Sequence, residues 1–303
     1  MTGKSLKARD AESEARMTHE PMLIDFDRLP WPAEIPTHYV FDIDGTLANA
    51  QSVLSSETNA ALQALDAAGF PIIIATGRPL EWCKFILTDA QVKGWIVASN
   101  GAVIWDGINE KIADVKLLPA NIAREVIATA RELGVSYFVE TADEVLVNAD
   151  DPYIPHVSQV SMHTATGLTE FPRVTEDNIR WNELTKVCFA AQPERIDAIK
   201  DTVLSRFPTA VRGGPEFWDV TLPNVTKLSG IELVHKALNL DPQTALGAGD
   251  SGNDVPWLAA MGIPVAAPGA TPDLRAEAKY ILPDTENPVA DLIHAILARH
   301  DAR

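Results

Sequence analysis

The chain has 303 residues, of which 46% are hydrophobic, and it carries a formal net charge of −17 at pH 7. This length favours two domains over one, and the hydrophobic fraction is enough to build a sizeable core. The negative charge argues against nucleic acid and anionic membrane surfaces as partners, and an anionic ligand would need a local cation to hold it.

Two further features concern the cellular compartment. The only cysteines are Cys83 and Cys188, too few for a disulfide framework, and they fit a reducing compartment as small buried side chains. No apolar run approaches the ~18 residues of a membrane-spanning helix. Residues 1–21 also lack the apolar core of a secretory signal. These features predict a cytoplasmic protein with no membrane partner, and they carry no signal for an oligomeric state.

The chain begins with a stretch of mixed charges and small residues that becomes rich in proline between Pro21 and Pro36. We predict a mobile leader over residues 1–35, with the segment from Ile24 to Trp31 packing on the domain surface.

The first strongly apolar strand runs through Tyr39-Val40-Phe41 into Asp42-Ile43-Asp44-Gly45-Thr46-Leu47. Alternate side chains of a strand share a face, so Asp42 and Asp44 lie on the same side if the strand continues. Carboxylates held this close repel each other unless a cation or a shared proton separates them. The pattern therefore indicates either a metal site or an acid/base pair, and Gly45 allows the chain to turn sharply beyond it.

Two more apolar strands end in small polar residues. The strand Phe70 to Ala75 shows no alternation, as expected for burial on both faces, and it ends in Thr76-Gly77-Arg78. The strand Trp95 to Ala98 ends in Ser99-Asn100-Gly101. Helices are predicted after the first two of these three strands. This alternation predicts an α/β fold with a Rossmann-like parallel sheet, whose ligands bind at the carboxyl ends of its strands.

From Ala102 the pattern changes to short alternating strands. They are predicted at Val103 to Trp105, Ile112 to Val115, Tyr137 to Glu140, Val145 to Val147, Thr185 to Ala190, Thr209 to Arg212 and Phe217 to Leu222. Helices begin near Pro119 and Pro193, and the segment Asp150 to Phe171, with His156 and His163, is predicted to be a long loop or an irregular edge. We predict an inserted α+β cap domain at residues 102–222, between two halves of a core domain at 36–101 and 223–303.

The α/β pattern returns at Val225. A helix is predicted from about Lys227 to Leu238, and the strand Thr244 to Ala248 ends in Gly249-Asp250-Ser251-Gly252-Asn253-Asp254. Strands at Ile263 to Val265 and Tyr280 to Leu282 and a final helix from Pro288 to Arg299 complete the chain.

The predicted strand ends bring many oxygen ligands to one edge of the sheet, without histidine or cysteine beside them. Such ligands suit a hard divalent cation, Mg²⁺ first among them, and Mg²⁺ typically shares its site with a phosphate. Thr76 and Lys227 are donors of the kind that stabilise a phosphoryl group in transfer. An aspartate can attack phosphorus while its neighbour acts as general acid and base.

Four segments, in this order, resemble the four motifs of the haloacid dehalogenase-like hydrolases: Asp42-Ile43-Asp44-Gly45-Thr46, Thr76-Gly77-Arg78, Lys227 and Gly249 to Asp254. The segment Ser99-Asn100-Gly101-Ala102 and the large insert resemble the Cof-type phosphatases. Their cap, called type IIB, is shared with sucrose-phosphate and mannosylphosphoglycerate phosphatases and with phosphomannomutases. The resemblance covers residues 38 to 300.

The resemblance implies a role for each matched residue. Asp42 would be the nucleophile and a Mg²⁺ ligand, and Asp44 the general acid/base and a ligand through its backbone carbonyl. Thr76 and Lys227 would hold the phosphoryl oxygens. The remaining roles are metal binding by Asp250, support of the metal site by Asp254, as a ligand or through water, and contacts to the phosphate or substrate by Gly45, Thr46, Gly77, Arg78, Asn100 and Asn253.

One departure from the family pattern concerns the lysine. The family lysine is commonly followed directly by glycine, whereas Lys227 is followed by Leu228, Ser229 and only then Gly230.

Three functions stay open at this point. The first is Mg²⁺-dependent hydrolysis of a small phosphorylated metabolite, foremost a sugar phosphate, through an aspartyl-phosphate. The second is a phosphomutase that returns the phosphoryl group to the sugar, and the third is a non-catalytic binding protein that keeps the fold.

Other interpretations of these motifs fail. An EF-hand is excluded because Leu47 and Val53 stand where its loop requires Gly and Glu. The segment Gly249 to Gly252 resembles a serine-protease motif, but an α/β chain with two cysteines does not form that fold. In the cap we predict structural or surface roles for Trp181, Trp218, Arg173, Arg180, Arg212, His156 and His163.

Overall fold

The computed structural model describes residues 20–26, 35–48, 53–88, 90–150, 153 and 170–302. Within them the strands are β1 (Met22–Leu23), β2 (His38–Phe41), β3 (Ile72–Ala75), β4 (Trp95–Ala98), β5 (Val103–Asp106), β6 (Lys111–Val115), β7 (Ser136–Glu140), β8 (Val145–Asn148), β9 (Arg173–Val174), β10 (Lys186–Ala190), β11 (Val211–Gly214), β12 (Phe217–Thr221), β13 (Ala245–Gly249), β14 (Ile263–Ala266) and β15 (Tyr280–Ile281). The helices are α1 (Ser56–Ala67), α2 (Phe85–Thr88), α3 (Ala120–Leu133), α4 (Pro193–Ala198), α5 (Lys200–Arg206), α6 (Lys227–Leu238), α7 (Val255–Leu258), α8 (Pro272–Glu277) and α9 (Pro288–Asp301).

The larger sheet has the strand order β1-β15-β14-β13-β2-β3-β4-β5-β6. From β1 to β4 all neighbours are parallel, and β5 and β6 add an antiparallel hairpin at one edge. The predicted α/β core with a parallel sheet is confirmed. Because β2 lies between β13 and β3, the loops after these three strands meet at one edge of the sheet.

The core sheet is covered by helices on both faces, which explains its unbroken apolar strands. Tyr39 and Phe41 of β2 face one hydrophobic cluster, to which α1 contributes Leu62 and Leu65. Val40 of the same strand faces the opposite cluster, which contains Ile231, Val234, Trp257, Leu258 and Leu274 from α6, α7 and α8. The period-2 alternation of β2 thus divides its side chains between the two layers.

The smaller sheet has the order β11-β12-β10-β7-β8-β9 and is antiparallel except between β8 and β9. One face packs against α3, α4 and α5 through a cluster that includes Val126, Ile127, Tyr137, Phe189 and Val203. The opposite face carries Phe138, Glu140, Lys186, Cys188 and Asp219 and lines a cavity above the core sheet. We call this smaller sheet with its helices the cap.

The structure differs from the sequence-based boundaries at two places. The predicted insert starts at residue 102, but Val103–Asp106 pairs with β4 and Lys111–Val115 pairs with β5, so both strands extend the core sheet. Within the predicted mobile leader, Met22–Leu23 pairs with β15, so the prediction of mobility is wrong there. Ile24 is 4% exposed and belongs to a core cluster, which agrees with the predicted packing of the segment that begins at Ile24. A two-residue edge strand has no periodicity by which the sequence could reveal it.

Helix α8 has no counterpart among the elements predicted from the sequence. Most of the predicted loop Asp150 to Phe171, with His156 and His163, lies outside the described residues. No helix in the described part of the chain is long and apolar enough to cross a membrane.

Candidate active site

The predicted site residues meet at one cavity of about 820 Å³ between the core sheet and the cap. Its core side is lined by Asp42, Asp44, Gly45, Thr76, Gly77, Arg78, Asn100, Lys227, Asp250 and Asn253. Two predicted residues, Thr46 and Asp254, are buried beside it, with 7% and 0% of their surface exposed. The motifs separated by about two hundred residues of sequence therefore converge as expected for the carboxyl ends of parallel strands.

Gly45 brings the first and the last acidic motifs into contact. Its φ is +80°, in the left-handed region that favours glycine. A Cβ atom at this position would lie 2.4 Å from Oδ2 of Asp250. Glycine is therefore required at this position for two reasons, the left-handed turn after β2 and the close approach of Asp250.

Lys227 joins the two halves of the site. The helix α6 opens with a capping box between Thr226 and Ser229, which fixes the position of its first turn. The Nζ atom of Lys227 donates to Oδ1 of Asp42 at 2.6 Å and to Oδ1 of Asp254 at 2.7 Å. Burial opposes the charge of this lysine, but the carboxylates of Asp254 and Asp42 outweigh it and raise the pKa of Lys227, so it stays cationic.

Although Gly230 follows Lys227 by three residues, Lys227 still lies in the site. Gly230 lies one turn further along α6, where a Cβ would come within 2.4 Å of Cγ1 of Val97 in β4. Gly230 therefore allows α6 to pack closely on the sheet. A glycine three residues after the lysine is in the right place for this close packing.

The carboxylate of Asp254 is already occupied by protein donors. Its Oδ1 also accepts from Nε1 of Trp257 at 2.9 Å, and its Oδ2 accepts from the backbone amides of Asp250 and Ser251. These contacts favour a supporting role, in which Asp254 orders the loop and Lys227, over direct metal binding.

Asp42 and Asp250 have the properties of metal ligands. One carboxylate oxygen from each of Asp42, Asp250 and Asp254 lies within 4.8 Å of the others. Oδ1 of Asp250 is buried and has no hydrogen-bond partner in the described part of the chain. Burial, followed by the charge of Asp254, raises the pKa of Asp42 well above its usual range and that of Asp250 to about 6. An oxygen-only donor set with an unpaired buried oxygen fits a hard divalent cation such as Mg²⁺.

Arg78 contacts Asp44. Its Nε and Nη2 atoms donate to the two carboxylate oxygens of Asp44 at 2.8 and 2.6 Å. The arginine side chain is 6% exposed and that of Asp44 is 47% exposed. This bidentate contact fixes the orientation of Asp44 at the cavity. The resemblance implies a phosphate contact for Arg78, whereas the structure gives it a contact to the predicted acid/base.

Thr46, Thr76 and Asn253 surround the acidic cluster. Oγ1 of Thr46 is buried and has no hydrogen-bond partner within the described ranges, and Oγ1 of Thr76 accepts from the backbone amide of Arg78 at 3.0 Å. Oδ1 of Asn253 accepts from Oγ of Ser251 at 2.8 Å and lies 3.4 Å from Nζ of Lys227.

A buried charged cluster of the cap was not predicted from the sequence. Lys186 lies 2.9 Å from Oε1 of Glu140 and 3.4 Å from Oδ2 of Asp219, and all three side chains are at most 5% exposed. Each is the only charged residue of a mainly apolar strand, and this pattern is the signal that could have identified them. The carboxylates of Asp219 and Glu140 overcome the burial and raise the pKa of Lys186.

The cluster touches the core at two points. Nζ of Lys186 donates to the carbonyl of Gly77 at 2.8 Å, and Nδ2 of Asn100 donates to Oδ2 of Asp219 at 2.8 Å. The cap therefore contacts the loops after β3 and β4, next to the predicted phosphate site.

The other cap predictions have mixed outcomes. Trp218 is buried in the cap core and Trp181 packs against that core, as predicted. Arg180 pairs with Glu144 and Glu183 on the surface, as predicted. Arg212 also pairs with Asp197, but it lines the cavity as well, which the prediction of a surface role did not include.

Comparison with known proteins agrees with this arrangement. The sequence model of the family described as haloacid dehalogenase-like hydrolase matches residues 39–293. The 5-amino-6-(5-phospho-D-ribitylamino)uracil phosphatase YcsE of Bacillus subtilis is 22% identical over 242 residues, 79% of this chain and 87% of that protein. A phosphoglycolate phosphatase of Methanothermobacter thermautotrophicus is 26% identical over 240 residues, 79% of this chain and 89% of that protein.

Solved structures share the fold. A haloacid dehalogenase-like hydrolase from Bacteroides thetaiotaomicron has a TM-score of 0.74 at 20% identity, covering 86% of this chain and 99% of that one. A sugar phosphatase of haloacid dehalogenase subclass IIB has a TM-score of 0.69 at 24% identity, covering 88% and 99%. The family match covers most of the sequence and shows that the chain belongs to the haloacid dehalogenase-like hydrolases, whose solved structures share its fold.

Proposed function

We propose that this chain is a Mg²⁺-dependent phosphatase that hydrolyses a small phosphorylated metabolite, a sugar phosphate, through an aspartyl-phosphate on Asp42. The observation that carries the proposal is the arrangement around Asp42. Its carboxylate is buried, contacts the cationic Lys227 at 2.6 Å and shares a cluster with Asp250, whose Oδ1 finds no hydrogen-bond partner among the described residues. This arrangement combines a nucleophile, a fixed cation and ligands for a second cation, as phosphoryl transfer requires.

The reaction has two steps. An oxygen of Asp42 attacks phosphorus, the bond from phosphorus to the leaving alcohol oxygen breaks, and Asp44 gives that oxygen its proton. Asp44 then takes a proton from water, the water oxygen attacks phosphorus, and the bond to Asp42 breaks to release phosphate. The contact from Arg78 holds Asp44 in place for both proton transfers.

Two kinds of positive charge stabilise the phosphoryl oxygens. Lys227, together with Thr76 at the end of β3, would bind them directly. Mg²⁺, held by Asp42, Asp250 and the backbone carbonyl of Asp44, would supply the additional charge needed to bring an anionic ester to this acidic chain.

The relatives support the substrate class. Their names describe phosphatases of small metabolites, among them a ribitylamino-uracil phosphate and phosphoglycolate, and one structural neighbour is named a sugar phosphatase. We further propose a cytoplasmic location, since Cys83 and Cys188 are free thiols, as expected in a reducing compartment.

The experiment that tests the proposal compares wild type with Asp42→Asn in a panel of sugar phosphates, nucleotides and cofactor phosphates, measured as inorganic phosphate release with Mg²⁺. We expect turnover by wild type and none by the variant, since the amide is not a nucleophile. Asp201→Asn, at an exposed position of α5, is the matched control and should behave like wild type. Near-normal turnover by Asp42→Asn would refute the mechanism.

The same assay separates hydrolysis from mutase activity. Free phosphate supports the proposal, whereas an isomerised sugar phosphate without phosphate release would identify a phosphomutase.

A further inference from the structure

The part of the cavity beside Gly77, next to the predicted phosphate site, contains a buried hydrogen-bond acceptor that no described residue pairs with. Asn100 is 3% exposed, and its Nδ2 donates to Asp219, which fixes the orientation of the amide. Its Oδ1 is buried, has no hydrogen-bond partner among the residues that the structure describes and lies beside Gly77, where a Cβ would come within 3.2 Å of it. A buried acceptor without a donor is costly, so a ligand that supplies a donor here would gain binding energy.

Asp219 adds a second acceptor at the same place. Its carboxylate lines the cavity and is held between Asn100 and Lys186, with 5% of its surface exposed. The cluster of Glu140, Asp219 and Lys186 contains two acidic groups and one basic group. Asn100 and Asp219 present acceptor oxygens, so this end of the cavity suits a hydroxyl group, which can donate a hydrogen bond, better than phosphoryl oxygens, which only accept.

Apolar side chains form another wall of the cavity. Trp82, Phe138 and Phe217 all line it, and the rings of Phe138 and Phe217 are in edge contact, with their centroids 5.7 Å apart. A sugar ring matches both surfaces, because its C–H groups can pack on aromatic rings while its hydroxyl groups donate hydrogen bonds.

From these contacts we propose that Asn100 of the core and Asp219 of the cap form a subsite for a hydroxyl group of the leaving alcohol. The substrate is then a polyhydroxylated phosphomonoester, and esters without hydroxyl groups are selected against. Lys186 acts as a positioning residue, since it holds Asp219 and the Gly77 carbonyl at the same time. This inference rests on the proposed phosphatase function and adds the residues that select its substrate.

The alternative is that the contact between Asn100 and Asp219 only holds the cap on the core. The two readings differ in one measurable quantity, the ratio of kcat/KM between substrates with and without hydroxyl groups. A purely structural contact would affect both kinds of substrate equally, whereas a recognition contact would change the ratio.

The experiment uses glucose 6-phosphate, ribose 5-phosphate and cyclohexylmethyl phosphate, which has a six-membered ring and a primary phosphate ester but no hydroxyl groups. The variants are Asn100→Gly, which tolerates the φ of +54° at this position, and Asp219→Asn, which keeps the size of the side chain. Glu132→Gln, at an exposed ion pair on the outer side of the cap, is the matched control. Thermal unfolding and circular dichroism establish that each variant is folded.

We expect wild type to prefer at least one of the two sugar phosphates over cyclohexylmethyl phosphate by tenfold or more. Each site variant should reduce that preference by about 10- to 100-fold, as expected for one lost hydrogen bond to a substrate hydroxyl group. Glu132→Gln should leave the preference at the wild-type value.

Two results would overturn the inference while leaving the phosphatase proposal intact. One is a wild-type enzyme that hydrolyses cyclohexylmethyl phosphate as well as it does both sugar phosphates. The other is a variant pair that lowers kcat/KM equally for all substrates. If wild type releases phosphate from no ester of the broader panel, the proposed function itself fails.

Discussion

Replacement of Gly45 by alanine tests the close contact between the two acidic motifs. The new Cβ would lie 2.4 Å from Oδ2 of Asp250, about 1 Å closer than the 3.4 Å at which ordinary contact begins. The carboxylate of Asp250 must therefore move by about that distance. Because a displacement of about 1 Å in a catalytic site can lower the rate about 10²-fold, we expect a loss of at least this size in kcat/KM.

The same replacement also strains the backbone, and a matched variant separates the two effects. Gly69, at the end of α1, has a φ of +83°, close to the +80° of Gly45, and a Cβ there would meet nothing within 4 Å. Alanine at either position should lower the free energy of unfolding by about 1–2 kcal/mol through the left-handed backbone alone. The contact with Asp250 adds to this cost only at Gly45.

The assay combines urea unfolding with phosphate release over a range of Mg²⁺ concentrations. Gly69→Ala should be destabilised but as active as wild type, while Gly45→Ala should be both destabilised and inactive, or require more Mg²⁺. If Gly45→Ala retained activity within threefold of wild type, the position of Asp250 would not matter for the reaction and the argument would be wrong.

Three further predictions follow from the described contacts. Arg78→Lys replaces a two-point contact to Asp44 by a single point charge, so kcat for the best sugar phosphate of the panel should fall about tenfold or more with little change in KM; an unchanged kcat would contradict it. Chelation with EDTA should abolish phosphate release and added Mg²⁺ should restore it; full activity in EDTA would rule out the metal requirement. Burial and the neighbouring His235 lower the pKa of His38 from 6.5 to about 4. As the pH falls, His38 therefore binds a proton in the unfolded chain before it does so in the folded one. The free energy of unfolding should then decrease between pH 6.5 and pH 4, by up to about 3 kcal/mol. In urea unfolding at several pH values, His38→Gln should show a smaller fall than wild type, and an equal fall would assign the effect to other groups.

The core and its half of the site could be predicted because the information is local. Asp42, Thr76 and Asn100 each follow a short apolar run, and consecutive parallel strands must bring their carboxyl ends to the same edge. The parallel sheet then brings residues that are distant in sequence into contact. Lys227 and Asp42, for example, form a hydrogen bond although they are 185 residues apart.

The cap half of the site could not be predicted in the same way. Glu140, Lys186 and Asp219 lie on three strands whose registers are set by the packing of the opposite face of the sheet, so their meeting depends on the whole cap. Their approach to Gly77 and Asn100 further depends on how the cap lies on the core. The assignment of β5 and β6 to the cap was wrong for a related reason. Their alternating pattern fits an antiparallel strand in either sheet.

The short strand β1 has a consequence for the outer edge of the core sheet. Tyr280 and Ile281 of β15 would otherwise present unpaired backbone groups, and Met22–Leu23 covers them. Exposed sheet edges are templates for pairing with other chains, and proteins commonly shield them. A chain shortened to begin at residue 35 would keep every residue of the active site and yet expose this edge. We therefore expect such a shortened chain to self-associate more readily than the full chain, even though Met22 and Leu23 lie outside the acidic cluster.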